Sequence, residues 1–291
     1  MLKGENAMPG FARFIFTGAA ALLAGAALIP AFAQNAKSTP IPNFGPDTVT
    51  AWTTSRPTMD DFLPPENGPG PVLSDPKRPY VPNGSGQPTY RIADLTNPIL
   101  QPWAIDKMKK ANDEVLAGKV PYIARERCWP AGVPGLDVYT RGQPIYFIQT
   151  PKEVLMVNEL STQIRHVYMN VPHTAHPVPS WYGESVGRYE GDQLVVDTIG
   201  LNDRTFIDNY RTPHTDKLHV IEKFKLIDGG KMLEAKITVE DPGTFNMPWS
   251  AIQRWRRTDA RAMIEDYCAE NNGFFFGYNV VAMPQASKPD F

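Results

Sequence analysis

Histidine and carboxylate side chains are concentrated in one part of this chain, between residues 172 and 220. Histidine changes charge near neutral pH and is also a common metal ligand, so such a stretch predicts acid–base chemistry or metal binding. Four of the five histidines lie within it, and His166 comes just before it; the four are His173, His176, His214 and His219.

Metal binding is one interpretation of this stretch. The spacing His173-x-x-His176 would let both rings reach one metal ion, with His214, His219 or a carboxylate completing the ligand set of a metal-dependent hydrolase. The loop contains prolines, however, and no flanking pattern matches a known zinc site. We therefore expect no cofactor, and favour hydrogen-bonding or acid–base roles for His176 and His214. His219 is expected to form an ion pair with Glu240.

Glu222 is the carboxylate most out of place. Two runs of alternating polar and apolar residues flank Gly229-Gly230, which predicts a β-hairpin over residues 218–241. Glu222 falls on the apolar face of this hairpin, where an isolated ionised carboxylate would be costly. It is therefore either a perturbed catalytic carboxylate or half of a buried ion pair, with Arg188 or Arg254 as its partner.

A second hairpin is predicted around the turn Gly191-Asp192, between residues 186–190 and 193–199. Its register places Tyr189 opposite Leu194, and Arg188 on the same face as Asp197. The last two residues would form either a salt bridge or a pair in a pocket.

Aromatic residues near these hairpins could line an apolar cavity for an aromatic or terpenoid ligand, although each could equally fill the core. The candidate substrate-binding residues are Tyr168, Trp181, Tyr189 and Trp249.

The fold predicted from the wider pattern is mainly β. One helix is expected over 97–118, with Trp103, Met108, Ala111 and Val115 on its apolar side and a solvated charged face that includes Lys107. About eight strand-length runs follow it, the last over 262–268. We expect a closed antiparallel barrel, because closure removes exposed edges. Residues 34–98 hold 13 of the 29 prolines and are interpreted as an extended arm, with residues 99–291 as the barrel domain. Short extended pieces of the arm could dock, for instance residues 48–53 around Trp52.

The start of the chain predicts export. Residues 1–33 have the features of a cleaved signal peptide: a positively charged start, an apolar run over 14–29 and the small-residue pattern Ala31-Phe32-Ala33. The apolar run is short for a membrane anchor. The expected location is therefore periplasmic or secreted, with no membrane span after cleavage.

In an oxidising compartment Cys128 and Cys268 are expected to pair, two buried free thiols being the alternative. A net charge of −2 with no basic tract argues against nucleic acid as a partner.

The stretch from Trp181 to Thr198 resembles a family of exported bacterial proteins with the pattern W-x-G-H-S-x-G-x-W-E-G-D-x-L-V-V-D-T. The resemblance continues through residues 200–203 and 213–223, and covers roughly residues 98–272. It implies a lipocalin-like (calycin-type) barrel. The chain departs from the family at Glu184, where the pattern has His, and at Leu201, where it has Phe.

The function predicted from these observations is cofactor-independent acid–base chemistry, as in a lyase, hydratase or isomerase, on a hydrophobic small molecule. Glu222 or His176 would move the proton, while Arg188 or His214 would stabilise negative charge, with Asp197 nearby. Tyr168 and Trp181 would hold the substrate. The main alternative is a non-catalytic carrier of a hydrophobic ligand.

Overall fold

The protein is a closed β-barrel with one helix, among the residues that the structure, a computed structural model, describes: 40–47, 49–55, 60, 62–78, 92–119, 128–134, 144–159 and 163–259. Neighbouring strands follow chain order around the barrel. The elements are β1 (Thr50–Thr54), α1 (Pro102–Leu116), β2 (Ile145–Gln149), β3 (Glu153–Asn158), β4 (Gln163–Met169), β5 (Glu184–Glu190), β6 (Gln193–Ile199), β7 (His219–Ile227), β8 (Met232–Glu240) and β9 (Trp249–Asp259).

The predicted fold class is confirmed, with one local difference in strand direction. β4 and β5 are parallel, with Val167 opposite Ser185, whereas the other neighbouring strands are antiparallel. Because parallel strands run in the same direction, the chain must travel back along the barrel between them. Residues 170–183 make this return and are called the crossing segment below.

The barrel takes its first strand from the segment that the sequence assigned to the Pro-rich arm. β1 pairs with β9 along its whole length and with β2 at Trp52. The Trp52 side chain is only 1% exposed, and its indole Nε1 donates to the Phe44 carbonyl at 2.8 Å. Threonine and tryptophan favour extended, half-buried backbone, which explains why this part of the arm forms a strand. Residues 50–54 of the arm therefore belong to the barrel, and the strand predicted over 262–268 lies outside the described residues.

Both predicted hairpins form with the predicted register. Tyr189 lies opposite Leu194 across β5 and β6, and His219 lies opposite Glu240 across β7 and β8. Gly229 has φ 61°, a left-handed conformation that glycine adopts without a steric penalty. Turn chemistry and period-two patterning therefore set this half of the barrel.

The helix α1 is shorter than predicted but begins at the expected proline. Pro102 occupies the first turn, where its missing N–H is not needed. Met108 and Ala111 are buried as predicted, whereas Trp103 is 40% exposed. Asn112, also buried, holds the backbone of Ala93 through two hydrogen bonds of 3.0 Å.

No helix in the described part of the chain has the length and apolar character to cross a membrane.

We predict that Trp52→Ala lowers the free energy of unfolding by about 3–5 kcal/mol, because it removes a large side chain from the closed core. Ile41→Ala is the control, since Ile41 lies in the same proline-rich region but is exposed; its effect should stay within about 0.5 kcal/mol. Urea denaturation followed by fluorescence measures both. Equal, small effects would show that β1 is not an integral strand.

Candidate functional site

An ion pair lies inside the barrel. Arg165 on β4 and Glu222 on β7 meet at 2.5 Å between Nη2 and Oε2, and both side chains are buried. The same Nη2 donates to Thr198 Oγ1 at 2.8 Å, and Arg165 Nε donates to Ser185 Oγ at 3.2 Å. The two hydroxyls lie 2.9 Å apart. This interior polar network thus links one side chain from each of β4, β5, β6 and β7.

Glu222 therefore lies where the sequence placed it, but its partner is different. Arg188 pairs with Glu190 at the surface, and Arg254 pairs with Glu234. The partner, Arg165, was missed because β4 was not assigned an inner and an outer face. Alternation along β4 places Arg165 on the same face as the buried Val167, so the strand pattern carried the signal.

The barrel interior has little free space. The cavity beside the polar network has a volume of about 10 Å³, enough for one water molecule. Gln253 Nε2 lines this space and, within the described structure, has no hydrogen-bond partner. Large side chains line this cavity, so within the described residues it has no room for the apolar ligand that the sequence predicted; they include Trp52, Phe147, Phe224 and Trp255.

A much larger concave site lies outside the barrel, next to α1. We call it the α1 groove; its volume is about 790 Å³. It is built from the exposed side of α1, the end of the crossing segment and the loop between β6 and β7. Its lining residues are Trp103, Lys107, Pro179, Ser180, Trp181, Asn202, Asp203, Arg204, His214, Thr215 and Asp216.

Two tryptophans in the groove each carry a cation over the ring. Lys107 Nζ lies 5.9 Å from the Trp103 ring centroid, and Arg204 Cζ lies 5.9 Å from that of Trp181. The Trp103 indole is fixed by a 2.7 Å hydrogen bond from Nε1 to the Gly243 carbonyl. The i, i+4 spacing of Trp103 and Lys107 on one helix was a sequence signal for the first pair.

His214 is a neutral base in the groove wall. Burial lowers the pKa of His214, and outweighs the opposing effect of its hydrogen bond to the Thr215 carbonyl. Nδ1 lies 3.1 Å from that carbonyl, which can only accept, so this nitrogen carries the proton. Nε2 then accepts from the Thr205 hydroxyl at 2.8 Å.

The five predicted catalytic residues do not meet in one cavity. Glu222 lies inside the barrel and His214 lines the groove. Asp197 lies on the outer face of the sheet, where it contacts histidines, and Arg188 is exposed and paired with Glu190. His176 is exposed on the crossing segment. The predicted pairing of Arg188 with Asp197 is therefore not found.

Of the four predicted substrate-binding aromatics, only Trp181 lines the groove. Tyr168 is exposed on β4, stacked on His166. Tyr189 is half-buried, and its hydroxyl accepts from Gln149 Nε2 at 2.7 Å. Trp249 is a core residue packed against Phe245, which agrees with the core-filling alternative.

The predicted ion pair of His219 with Glu240 forms at 3.5 Å. No group of three or more His, Cys, Asp or Glu side chains within the described ranges is arranged to hold a metal ion. Cys268 lies outside those ranges, so its pairing with Cys128 stays a prediction.

No protein-family model matches the chain, and comparison with curated proteins gives no significant match. The family resemblance of residues 181–198 therefore stays a prediction.

We predict that Arg165→Met destabilises the protein by about 3–5 kcal/mol, because it leaves the Glu222 carboxylate buried without its cation. The double variant Arg165→Met/Glu222→Met should recover most of this loss, since two apolar side chains of similar volume need no partner. Chemical denaturation of the unaltered protein, Arg165→Met, Glu222→Met and the double variant measures the coupling. If the double variant loses as much stability as the two single variants lose in sum, the two buried charges are not coupled, and the ion pair is contradicted.

Proposed function

We propose that the protein binds a small molecule in the α1 groove, and that this molecule has a flat aromatic or otherwise apolar part and a carboxylate or carbonyl acceptor. The observation that carries the proposal is the pair of tryptophans, each with a cation over its ring, in a groove of about 790 Å³. Ligand sites in proteins commonly have volumes of this order.

The two tryptophans of the groove indicate that the ligand has a flat aromatic part. Trp103 is 40% exposed although its indole N–H is already hydrogen-bonded, so its free surface is the apolar ring. Trp181 is half-buried and packs against Trp129, with ring centroids 5.1 Å apart, which fixes its orientation. A rigid aromatic surface binds a flat partner with little loss of side-chain entropy.

The acceptor follows from the cations. Lysine and arginine side chains only donate hydrogen bonds, so they recognise carboxylates and carbonyls. Asp203 and Asp216 also line the groove, which balances the formal charge there and disfavours a ligand held by charge alone. A ligand with one acceptor group and a flat apolar body uses both features of the wall.

The site of this binding would be outside the cytoplasm. The charged lead, apolar run and Ala31-Phe32-Ala33 at the start of the sequence support export to the periplasm or the medium. The non-catalytic carrier that the sequence suggested agrees best with this proposal, because the predicted catalytic residues are dispersed.

We predict that cinnamate, a flat aromatic carboxylate, binds the protein and that Trp181→Leu weakens binding by at least about tenfold, through loss of stacking area. Lys107→Met should weaken binding of cinnamate but not of the uncharged cinnamyl alcohol, because only the carboxylate uses the cation. Isothermal titration calorimetry or NMR titration measures each affinity.

The matched control is Lys109→Met, a change of the same kind at an exposed lysine that lies on the other side of α1 from Lys107 and does not line the groove. It should leave both affinities unchanged. If Lys107→Met and Lys109→Met behave alike, or if Trp181→Leu binds cinnamate as well as the unaltered protein, the proposal fails.

A second candidate function is the acid–base catalysis that the sequence suggested, here placed in the α1 groove. His214 supports it, because its lowered pKa keeps the ring neutral and its Nε2 already accepts a proton-bearing hydroxyl, that of Thr205. A neutral imidazole near the ligand is a general base. In this version the groove binds the substrate, the Thr205 hydroxyl gives up its hydrogen bond to His214, and the freed Nε2 removes a carbon-bound proton.

For this candidate we predict that the protein accelerates exchange of the methylene protons of phenylpyruvate with deuterated water, and that His214→Asn reduces the acceleration by about a hundredfold or more. Proton NMR follows the exchange. Circular dichroism of the variant controls for folding. A rate equal to that in buffer alone removes the catalytic candidate and leaves the binding proposal standing.

A further inference from the structure

Five acidic and histidine side chains form a continuous row on the outer face of β5 to β8. His173, on the crossing segment, lies between two carboxylates, with Nδ1 at 3.0 Å from Glu184 Oε1 and Nε2 at 3.0 Å from Asp197 Oδ1. His219 Nε2 lies 2.9 Å from the same Asp197 oxygen, and its Nδ1 lies 3.5 Å from Glu240 Oε2. We call this row the acid–histidine chain.

The position of His173 constrains its protonation. A neutral imidazole has one N–H and one bare lone pair, whereas the imidazolium has two N–H groups. Both ring nitrogens of His173 face carboxylate oxygens, which can only accept when ionised. Only the imidazolium satisfies both contacts; in the neutral ring one nitrogen lone pair faces a carboxylate oxygen.

The charged and titratable neighbours of His173 come from every strand beneath it. They are Glu184 on β5 and Asp197 on β6 and, through Asp197, His219 on β7 and Glu240 on β8. Burial alone would raise the pKa of Glu184, but hydrogen bonds from the Thr174 backbone and the His173 ring outweigh it and lower the pKa. Glu184 therefore remains a carboxylate into mild acid.

The same contacts fasten the crossing segment to the barrel. The Thr174 backbone N–H donates to Glu184 Oε1 at 2.7 Å, beside the His173 contact. Farther along, the Ser180 N–H donates to the Gly200 carbonyl at 3.0 Å, and the next residue, Trp181, lines the α1 groove.

The segment between these two attachments is stiff. It contains Pro177 and Pro179, whose rings fix their φ angles. Pro177 also packs closely on Gly200, where an added Cβ would lie 2.9 Å from the proline Cβ. The two prolines and this contact restrict the backbone between His173 and the wall of the groove.

We propose that His173 is a proton-dependent latch, which in its doubly protonated form holds the crossing segment on β5 and β6 and so keeps the Trp181 wall of the α1 groove in place. The part of this inference that concerns ligand affinity rests on the proposed function. The part that concerns the segment itself does not.

The direction of the pH effect follows from the geometry. The latch needs the imidazolium, so it is closed at lower pH and opens as the pH rises. Measurements at about pH 5.5 and 8.5 compare the two conditions. Ligand affinity in the groove should therefore also fall as the pH rises.

The first test needs no ligand. Amide hydrogen–deuterium exchange of the full chain, corrected for the intrinsic pH dependence of exchange, should show less protection of residues 171–179 at about pH 8.5 than at about pH 5.5. In His173→Gln the segment should be poorly protected at both values, because glutamine has a single nitrogen and no charge and so cannot replace the two separate N–H donors of the imidazolium. His166→Gln is the control, since His166, on β4, contacts Glu153 on β3 and lies outside the row. It should behave like the unaltered protein.

The second test measures cinnamate affinity at the same two pH values. The unaltered protein should bind about fivefold more tightly at the lower pH, a modest coupling between two sites, and His173→Gln should lose this difference. Protection that does not change with pH, or that changes equally in His173→Gln, overturns the latch. If protection changes as expected but cinnamate does not bind at either pH, the latch stands and the proposed function fails.

Discussion

The ion pair between Arg165 and Glu222 is the constraint on which the barrel depends. A charged pair in a packed apolar interior is stable only when each group has its partner and its remaining hydrogen bonds. Ser185 and Thr198 supply those bonds from the two strands between β4 and β7. The network therefore links four neighbouring strands, and it spans the parallel contact between β4 and β5, where no hairpin holds the strands together.

That parallel contact also shapes the outside of the molecule. Because β4 and β5 run in the same direction, the chain must return along the barrel through residues 170–183 before β5 begins. This return places His173 over Glu184 and Asp197 and carries Trp181 to the α1 groove. The stretch richest in histidine thus serves two surfaces, the acid–histidine chain and the groove, which the sequence shows as one cluster.

Much of the barrel could be predicted from local patterns, because hairpins are set by turn residues and by strict alternation of side chains. The registers of β5 with β6 and of β7 with β8 follow from Gly191-Asp192 and Gly229-Gly230 alone. The parallel pairing of β4 with β5 and the strand partners of the extended piece around Trp52 could not be predicted in this way. Both depend on contacts between residues distant in the chain. The groove was missed for a similar reason. Lys107 and Arg204 come to line the same groove only after folding, and each alone is typical of a solvated surface.

The central claim is that small molecules bind in the α1 groove and not in the barrel interior, where the cavity beside the polar network has a volume of only about 10 Å³. The most direct measurement is a titration with cinnamate followed through the assigned tryptophan side-chain N–H resonances in a two-dimensional NMR spectrum. Trp103 and Trp181, in the groove, should shift with ligand concentration, whereas Trp52 and Trp255, in the interior, should not. Shifts confined to Trp52 and Trp255 would place the ligand inside the barrel and contradict the account.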